Sequence, residues 1–367
     1  MNAFTKEDLK RFQAESLPDK RQRSFAKIAE WYSYWRNAVF VSFSGGKDST
    51  VLADLCAQWC QIIGATLYLM FVNTGLEYPE IQKFVKEYAE YLRKKYNIEV
   101  VLDIERPAMR FDEVIKTYGY PIISKETAKC VSAAKRLGEA SKFGRVCLAR
   151  LNGTHKQKDG GDSLYNCSKY KPLLDVDFNI SSNCCDVMKK KPSHDYIKRT
   201  GRKPMVAQMA EESRLREQRW LRYGCNGFNM TSPSSSPMSF WTEQDVLQYI
   251  KEEQLPIASV YGDVVYMVEP EQIRISDLGI DCGAPEALCT TGCQRTGCIF
   301  CAFGCHLEKE PSRFQRLKET HPKQYNYCLN GGEYNEDGLW QPNKDGLGMR
   351  HVFEELNAIY GDGFIKY

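Results

Sequence analysis

Residues 38–50 run from an apolar, β-favouring stretch, Ala38-Val39-Phe40-Val41-Ser42-Phe43, through Ser44-Gly45-Gly46-Lys47-Asp48-Ser49 into a helical pattern, Val51-Leu52-Ala53-Asp54-Leu55. This order suits a phosphate-binding loop. A buried parallel strand brings the chain to a sheet edge, and two glycines accept positive φ so that backbone N–H groups can form an anion nest. The start of a helix then adds unpaired N–H groups and the positive end of its dipole. Ser44, Ser49 and Thr50 supply hydroxyls and Lys47 a point charge. The spacing is not Gly-x-x-x-x-Gly-Lys-Ser/Thr, which argues against an ordinary P-loop NTPase.

Cysteine is the second residue type positioned for chemistry. The chain has fifteen. Cys293, Cys298, Cys301 and Cys305 lie close together, with Cys298 and Cys301 in Cys-x-x-Cys spacing, and Cys184 and Cys185 are adjacent. Thiolates ligate iron–sulfur clusters and zinc alike, so spacing leaves both open. No apolar run nears the roughly 18 residues of a membrane span, and Met1–Asp8 lacks the apolar core of a signal peptide. The expectation is a cytoplasmic protein with no membrane partner. In that compartment thiols stay reduced, and many cysteines point to metal or sulfur chemistry rather than a disulfide framework. Cys56 and Cys60, on the apolar side of a helix, read as small core hydrophobes, as do Cys130, Cys147, Cys167, Cys282, Cys289 and Cys328.

Strand 38–43, helix 50–61, strand 66–72, helix 79–95, strand 98–103 and helix 111–118 alternate in the sequence pattern. That alternation predicts an α/β fold: a doubly wound parallel sheet whose ligands sit at the carboxyl ends of the strands. The turn Asn73-Thr74-Gly75 closes the second strand at the same edge, and Pro79 opens the next helix. Residues 5–36, with Phe25, Ile28, Trp31, Tyr32 and Trp35 at helical spacing, predict a helical lead-in. Residues 151–183 and 226–238 are rich in loop-forming residues and predict exposed loops. The expected division is a lead-in over 1–36, a nucleotide domain over 37–260 and a cysteine-rich region over 261–367.

With 50 Lys+Arg against 47 Asp+Glu, the net charge of +3 gives no global argument about nucleic acid. The basic set Lys198, Arg199, Arg202, Lys203, Arg214, Arg216, Arg219 and Arg222 reads as a solvated face. Phe353, Leu356 and Tyr360 mark a packing helix near the C-terminus.

Ser44-Gly45-Gly46-Lys47-Asp48-Ser49 resembles the PP-loop of the ATP pyrophosphatase superfamily, whose members bind ATP here and typically cleave between its α- and β-phosphates. Asn73-Thr74-Gly75-Leu76-Glu77-Tyr78-Pro79-Glu80 resembles the Asp-Thr-Gly-x-Glu-x-Pro-Glu stretch of phosphoadenosine phosphosulfate (PAPS) reductases, with Asn73 for the usual Asp. Trp241 to Ile250 is similar to a Trp-Thr-x-x-Asp-Val-x-x-Tyr-Ile helix of the same reductases. Cys184-Cys185, with Lys189 and Pro192, is similar to the Cys-Cys-x-x-x-Lys-x-x-Pro element of iron–sulfur adenylylsulfate (APS) reductases, where it pairs with a distal Cys-x-x-Cys on a [4Fe–4S] cluster. The resemblance implies an adenine nucleotide alpha hydrolase-like fold. It also implies that Ser44, Gly45, Gly46, Lys47, Asp48, Ser49, Asn73, Thr74, Gly75, Ser213 and Arg216 bind nucleotide. Lys47 and Asp48 would then act in catalysis, Asp48 through Mg2+. The metal candidates are Cys298 and Cys301, then Cys185, then Cys184 and Cys225, with Cys293 and Cys305 as rivals for fourth ligand or nucleophile and zinc as the alternative metal.

This chain departs from the reductases at one position in particular. Their Gly-x-Arg-x-x-Glu-Ser-x-x-Arg segment meets the sulfonucleotide anion through its first arginine, and here Met209 stands in that place, with Glu212, Ser213 and Arg216 retained. A thioether cannot replace a bidentate guanidinium. The complete loop together with cysteine motifs is similar instead to the ATP pyrophosphatases of tRNA thiolation and DNA phosphorothioation. The resemblance therefore implies ATP-dependent sulfur transfer onto a nucleotide, tRNA or DNA, served by a sulfur-donor protein. A sulfonucleotide reductase and a non-catalytic ATP sensor are the alternatives. Arg295, Thr296 and Gly297 before the Cys-x-x-Cys, and Lys309, Arg313, Arg316 and Lys318 after it, are expected to set positive charge around the metal or to lie on a solvated surface.

Overall fold

A computed structural model describes residues 3–267 and 287–367; Cys282 lies outside the described residues. The chain divides into two compact units that cut across its order. The first comprises Met1–Asn73, Glu77–Glu105 and Ser193–Thr296; the second comprises Thr74–Leu76, Arg106–Pro192 and Gly297–Tyr367.

In the first unit the helices α1 (Lys6–Gln13) and α2 (Leu17–Tyr34) lead into β1 (Val39–Ser42), α3 (Lys47–Ile63), β2 (Leu67–Val72), α4 (Pro79–Tyr96) and β3 (Val100–Glu105). The nucleotide sheet has six strands in the order β3-β2-β1-β5-β7-β6, where β5 is Lys203–Met205, β6 is Asn226–Gly227 and β7 is Ser234–Ser235. All its pairings are parallel except that of β6 with β7. The doubly wound expectation therefore holds. Val39, Phe40 and Val41 are fully buried, as a parallel strand covered on both faces requires.

Two details differ from the sequence pattern. Helix α3 begins at Lys47, three residues before the apolar periodicity, because its first turn belongs to the phosphate loop rather than the core. Residues 226–238 are not simply a loop: β6 and β7 extend the sheet, and Arg219, expected on a solvated face, donates to Ser236 Oγ at 2.5 Å and Ser234 Oγ at 2.8 Å. Polar residues form such strands because backbone pairing asks little of the side chain. The lead-in is built into this unit, with Ile28, Trp31 and Tyr32 buried and Lys20 donating to both oxygens of Asp245 at 2.7 and 2.8 Å.

In the second unit, α5 (Phe111–Tyr118), β4 (Ile122–Ile123), α6 (Lys125–Leu137) and α7 (Lys142–Leu151) pack with helices over 313–320, 322–329 and 349–360. In the last of these Val352, Phe353 and Leu356 are buried, as the apolar spacing predicted. Residues 151–183, expected as an exposed loop, bury Tyr170, Leu173, Phe178 and Ile180. A 3-10 turn at Ser168–Leu174 and a parallel bridge of Tyr120 to Ile180 tie the segment down. Its apolar residues are too sparse to show a period, yet each finds core.

Candidate functional site

The phosphate loop sits at the carboxyl end of β1 in the first unit. Gly45 has φ +72°, and a Cβ there would lie 2.9 Å from both Ile81 and Val85, so only glycine fits the turn. Gly46 caps α3 without a side chain, which leaves the first N–H groups of the helix to a ligand. The serines brace the turn: Ser49 Oγ donates to the Gly46 carbonyl at 2.9 Å, accepts from the Ser44 N–H at 3.2 Å and lies 3.0 Å from Ser44 Oγ.

Lys47 is 5% exposed, and its ammonium lies 3.3 Å from Glu243 Oε1 and 5.5 Å from the centre of the Tyr261 ring. Burial pushes the Asp48 carboxyl above its ordinary value, against the pull of Lys47, Arg295 and Arg216. Glu212 pairs with Arg216, lies 4.0 Å from Arg295 and accepts from the Met209 N–H at 2.9 Å. Tyr261 OH shares a 2.5 Å hydrogen bond with Thr296 Oγ1. Three cations and a carboxylate beside an open helix start make a site for a phosphate chain and, through Asp48, for a divalent cation.

Ser213 caps α9 (Arg214–Tyr223), accepting from the Arg216 N–H at 3.4 Å. It thereby sets the position of Arg216. Met209 is buried at 1% exposure and contributes no polar group to the site. Asn73 belongs to this unit, donating to the Glu105 carbonyl at 2.8 Å; Thr74 and Gly75 belong to the second, where Thr74 Oγ1 accepts from the Leu76 N–H at 3.2 Å. Sequence reasoning missed Glu243 and Tyr261, and assigned Arg295 and Thr296 to the cysteines. Glu243 opens the helix whose resemblance was visible, but no residue-level signal aims it at Lys47.

In the second unit four thiols meet. Segment 120–123 is the template: Tyr120 bridges Ile180, which leads to Cys184 and Cys185, while Ile122 and Ile123 pair in parallel with Ala302 and Phe303, which follow Cys301. Ile299 N–H also donates to the Leu76 carbonyl at 2.8 Å. The result is a pocket of about 310 Å3 lined by Cys184, Cys185, Cys298 and Cys301 with Leu76, Phe111, Pro121, Met188 and Lys189. Cys185 directly precedes a π-helical turn, Asp186–Lys190, of a kind frequent at functional sites. Its thiol is lowered to about 5 by the hydrogen bond from Cys184 and by the Lys125 and Lys189 ammoniums, whereas that bond and burial raise Cys184. Burial also raises Cys301, whose carbonyl accepts from Arg313 Nη1 at 2.8 Å.

No trio of His, Cys, Asp or Glu among the described residues is arranged to hold a single metal ion. The four thiols line a pocket with mostly apolar walls, a donor set that fits a thiolate-ligated cluster. Cys225 lies in the first unit, buried beside Trp220, its thiol pushed up to about 11 by burial. Cys293, in the same unit, lies 3.6 Å from the Arg295 carbonyl and 3.9 Å from Tyr78 OH. Cys305, in the second unit, is buried, donates to the Ala302 carbonyl at 3.0 Å and is pushed up to about 12 by burial.

The mostly parallel sheet and the loop at its edge define a nucleotide-binding protein of the PP-loop class. Residues 38–143 and 150–303 match the phosphoadenosine phosphosulfate reductase domain, and the chain belongs to that family. It is 30% identical over 132 residues to an uncharacterized protein of Methanocaldococcus jannaschii, covering 35% of this chain and 29% of that one. A second uncharacterized protein of that organism is 32% identical over 108 residues, covering 29% and 20%. The matches thus span less than a third of either relative. Among solved structures, an NMN synthetase from Francisella tularensis is similar over 66% of this chain and 72% of its own, with 13% identity and a TM-score of 0.32.

Proposed function

We propose that this protein is an ATP-dependent sulfurtransferase that adenylates an oxygen of a nucleotide or nucleic acid, tRNA or DNA, and replaces it with sulfur from a donor protein. The observation that carries the reading is the complete loop, with Lys47 buried and Gly45 in the only conformation its neighbours allow. It has the parts an ATP triphosphate needs. Met209 supports the same reading, since the sulfonucleotide-binding guanidinium of the reductases has no counterpart in its side chain.

In the first step the acceptor oxygen attacks the α-phosphorus of ATP, the α–β bridge breaks and pyrophosphate leaves. Lys47 and the amides at the start of α3 hold the departing charge, Asp48 holds Mg2+, and Arg216 and Arg295 balance the phosphates. In the second step a sulfur nucleophile displaces AMP, which carries the acceptor oxygen away. Cys184, Cys185, Cys298 and Cys301 would hold a [4Fe–4S] cluster, whose chemistry is to bind or deliver sulfide; zinc in their place would be structural.

The test is anaerobic incubation of the full chain with ATP, Mg2+, sulfide and pooled tRNA or DNA, following pyrophosphate, AMP and thiolated nucleoside by mass spectrometry. Acceptor-dependent pyrophosphate with a thiolated product is expected. Family membership favours a second reading, a sulfonucleotide reductase, and release of sulfite from PAPS or APS with a thiol reductant, without pyrophosphate, would establish that instead. ATP binding with neither product would identify a sensor.

A further inference from the structure

Three cysteines that the proposed reaction does not use meet elsewhere in the second unit, each from a different stretch of chain. Cys130 lies on α6, Cys147 on α7 and Cys167 just before the turn Ser168–Leu174. The Cys130 thiol donates to the Cys147 carbonyl at 3.4 Å and is hydrogen-bonded to the Cys167 sulfur. Cys167 is fixed through its backbone, its N–H donating to the Arg150 carbonyl at 2.9 Å. Cys130 and Cys147 are buried, whereas Cys167 is partly exposed.

Arg150 supplies a second, independent observation. Its side chain is 17% exposed, its Nη1 pairs with Glu126 at 2.9 Å, and its guanidinium lies over the Tyr165 ring at 5.0 Å. Its Nε–H is nevertheless buried with no partner. A buried orphan donor on a cation is costly unless an acceptor comes to it. The charge of Arg150 acts on the Cys167 sulfur, whose titration is lowered first by the hydrogen bond from Cys130 and then, against burial, by Arg150. Cys167 therefore has the features of a reactive thiol: thiolate character, access and a facing cation.

We propose that Cys167 and Cys130 form an oxidisable dithiol, with Cys167 attacking a hydroperoxide, Arg150 receiving the resulting sulfenate oxygen and Cys130 closing the disulfide. The Cys167 thiolate forms an S–O bond with one peroxide oxygen, the O–O bond breaks and hydroxide leaves to be protonated. The Cys130 sulfur then attacks the Cys167 sulfur, the S–O bond breaks, and water leaves with the Cys130 proton. In sum two thiols lose two electrons and two protons, and hydrogen peroxide becomes two waters. This inference goes beyond the sulfur-transfer reading and does not depend on it.

The test is peptide mapping of the full-length reduced chain after stoichiometric hydrogen peroxide and alkylation of the remaining thiols. A Cys130–Cys167 linked peptide is expected, and it should persist in Cys147→Ser. In Cys130→Ser, Cys167 should accumulate as a sulfenic acid captured by a 1,3-diketone. Arg150→Gln should slow oxidation of Cys167 about tenfold, the scale of one charge-assisted contact. The proposal is overturned if Cys167 stays reduced while other thiols of wild type oxidise, or if Cys130 is found linked to Cys147.

Discussion

Lys47 is the residue on which the nucleotide site depends most directly, because a nearly buried ammonium with a single close carboxylate is poised to exchange that partner for phosphate. Lys47→Ala should weaken ATP binding by about ten- to a hundredfold, the 1.5–3 kcal/mol of a hydrogen bond to a charged group. Isothermal titration with ATP and Mg2+ measures this, and unchanged affinity would place the triphosphate elsewhere. Lys47, Asp48 and the glycines were legible in the sequence because a phosphate loop is local: six consecutive residues carry its turn, hydroxyls and charge. Arg295 was not, since its partner Glu212 is over eighty residues distant and nothing in its neighbours marks which carboxylate it meets.

At the scale of elements, α3 is fastened to its surroundings by Asp54, which has no exposure. One oxygen accepts from Lys95 Nζ at 3.0 Å and Tyr96 OH at 2.8 Å, the other from Tyr249 OH at 2.8 Å and Gln58 Nε2 at 2.9 Å. A single carboxylate thus joins α3 to α4 and to helix α10, Glu243–Glu252. Asp54→Ala would strand these donors and should destabilise the protein by about 3–5 kcal/mol, as removal of one partner of a buried pair does. Urea denaturation measures the loss. A much smaller effect would mean that the tyrosine hydroxyls find other acceptors. The helices themselves were legible from periodicity. The short strands β6 and β7 were not, because two paired residues of Ser, Asn and Gly carry no alternation.

The whole chain passes repeatedly between its two units, so the nucleotide loop and the four thiols are served by different parts of one polypeptide. Metal and fold should be coupled in the thiol-bearing unit, since a ligand bound only by folded protein stabilises it by mass action. Anaerobically purified protein should carry about four iron and four sulfide per chain, the content of one [4Fe–4S] cluster. Both should be lost in the Cys298→Ser, Cys301→Ser variant. Removal of the iron should lower the thermal midpoint of the full chain. Stoichiometric zinc in its place would end the sulfur-delivery role of the thiols and leave ATP chemistry to be explained without it.

The sequence by itself determined the phosphate loop, the alternation that forces a parallel sheet and the pairing of two cysteine motifs, because each is carried by adjacent residues or by a short period. Only the tertiary structure decided which cysteines share a pocket. Segment 120–123 holds Ile180 by one bridge and Ala302–Phe303 by another, and so brings Cys184, Cys185, Cys298 and Cys301 together. It also decided that Thr296 and Gly297, neighbours in the chain, belong to different units. Backbone pairing between distant segments depends on which surfaces are left to be buried, and no local pattern of side chains records that.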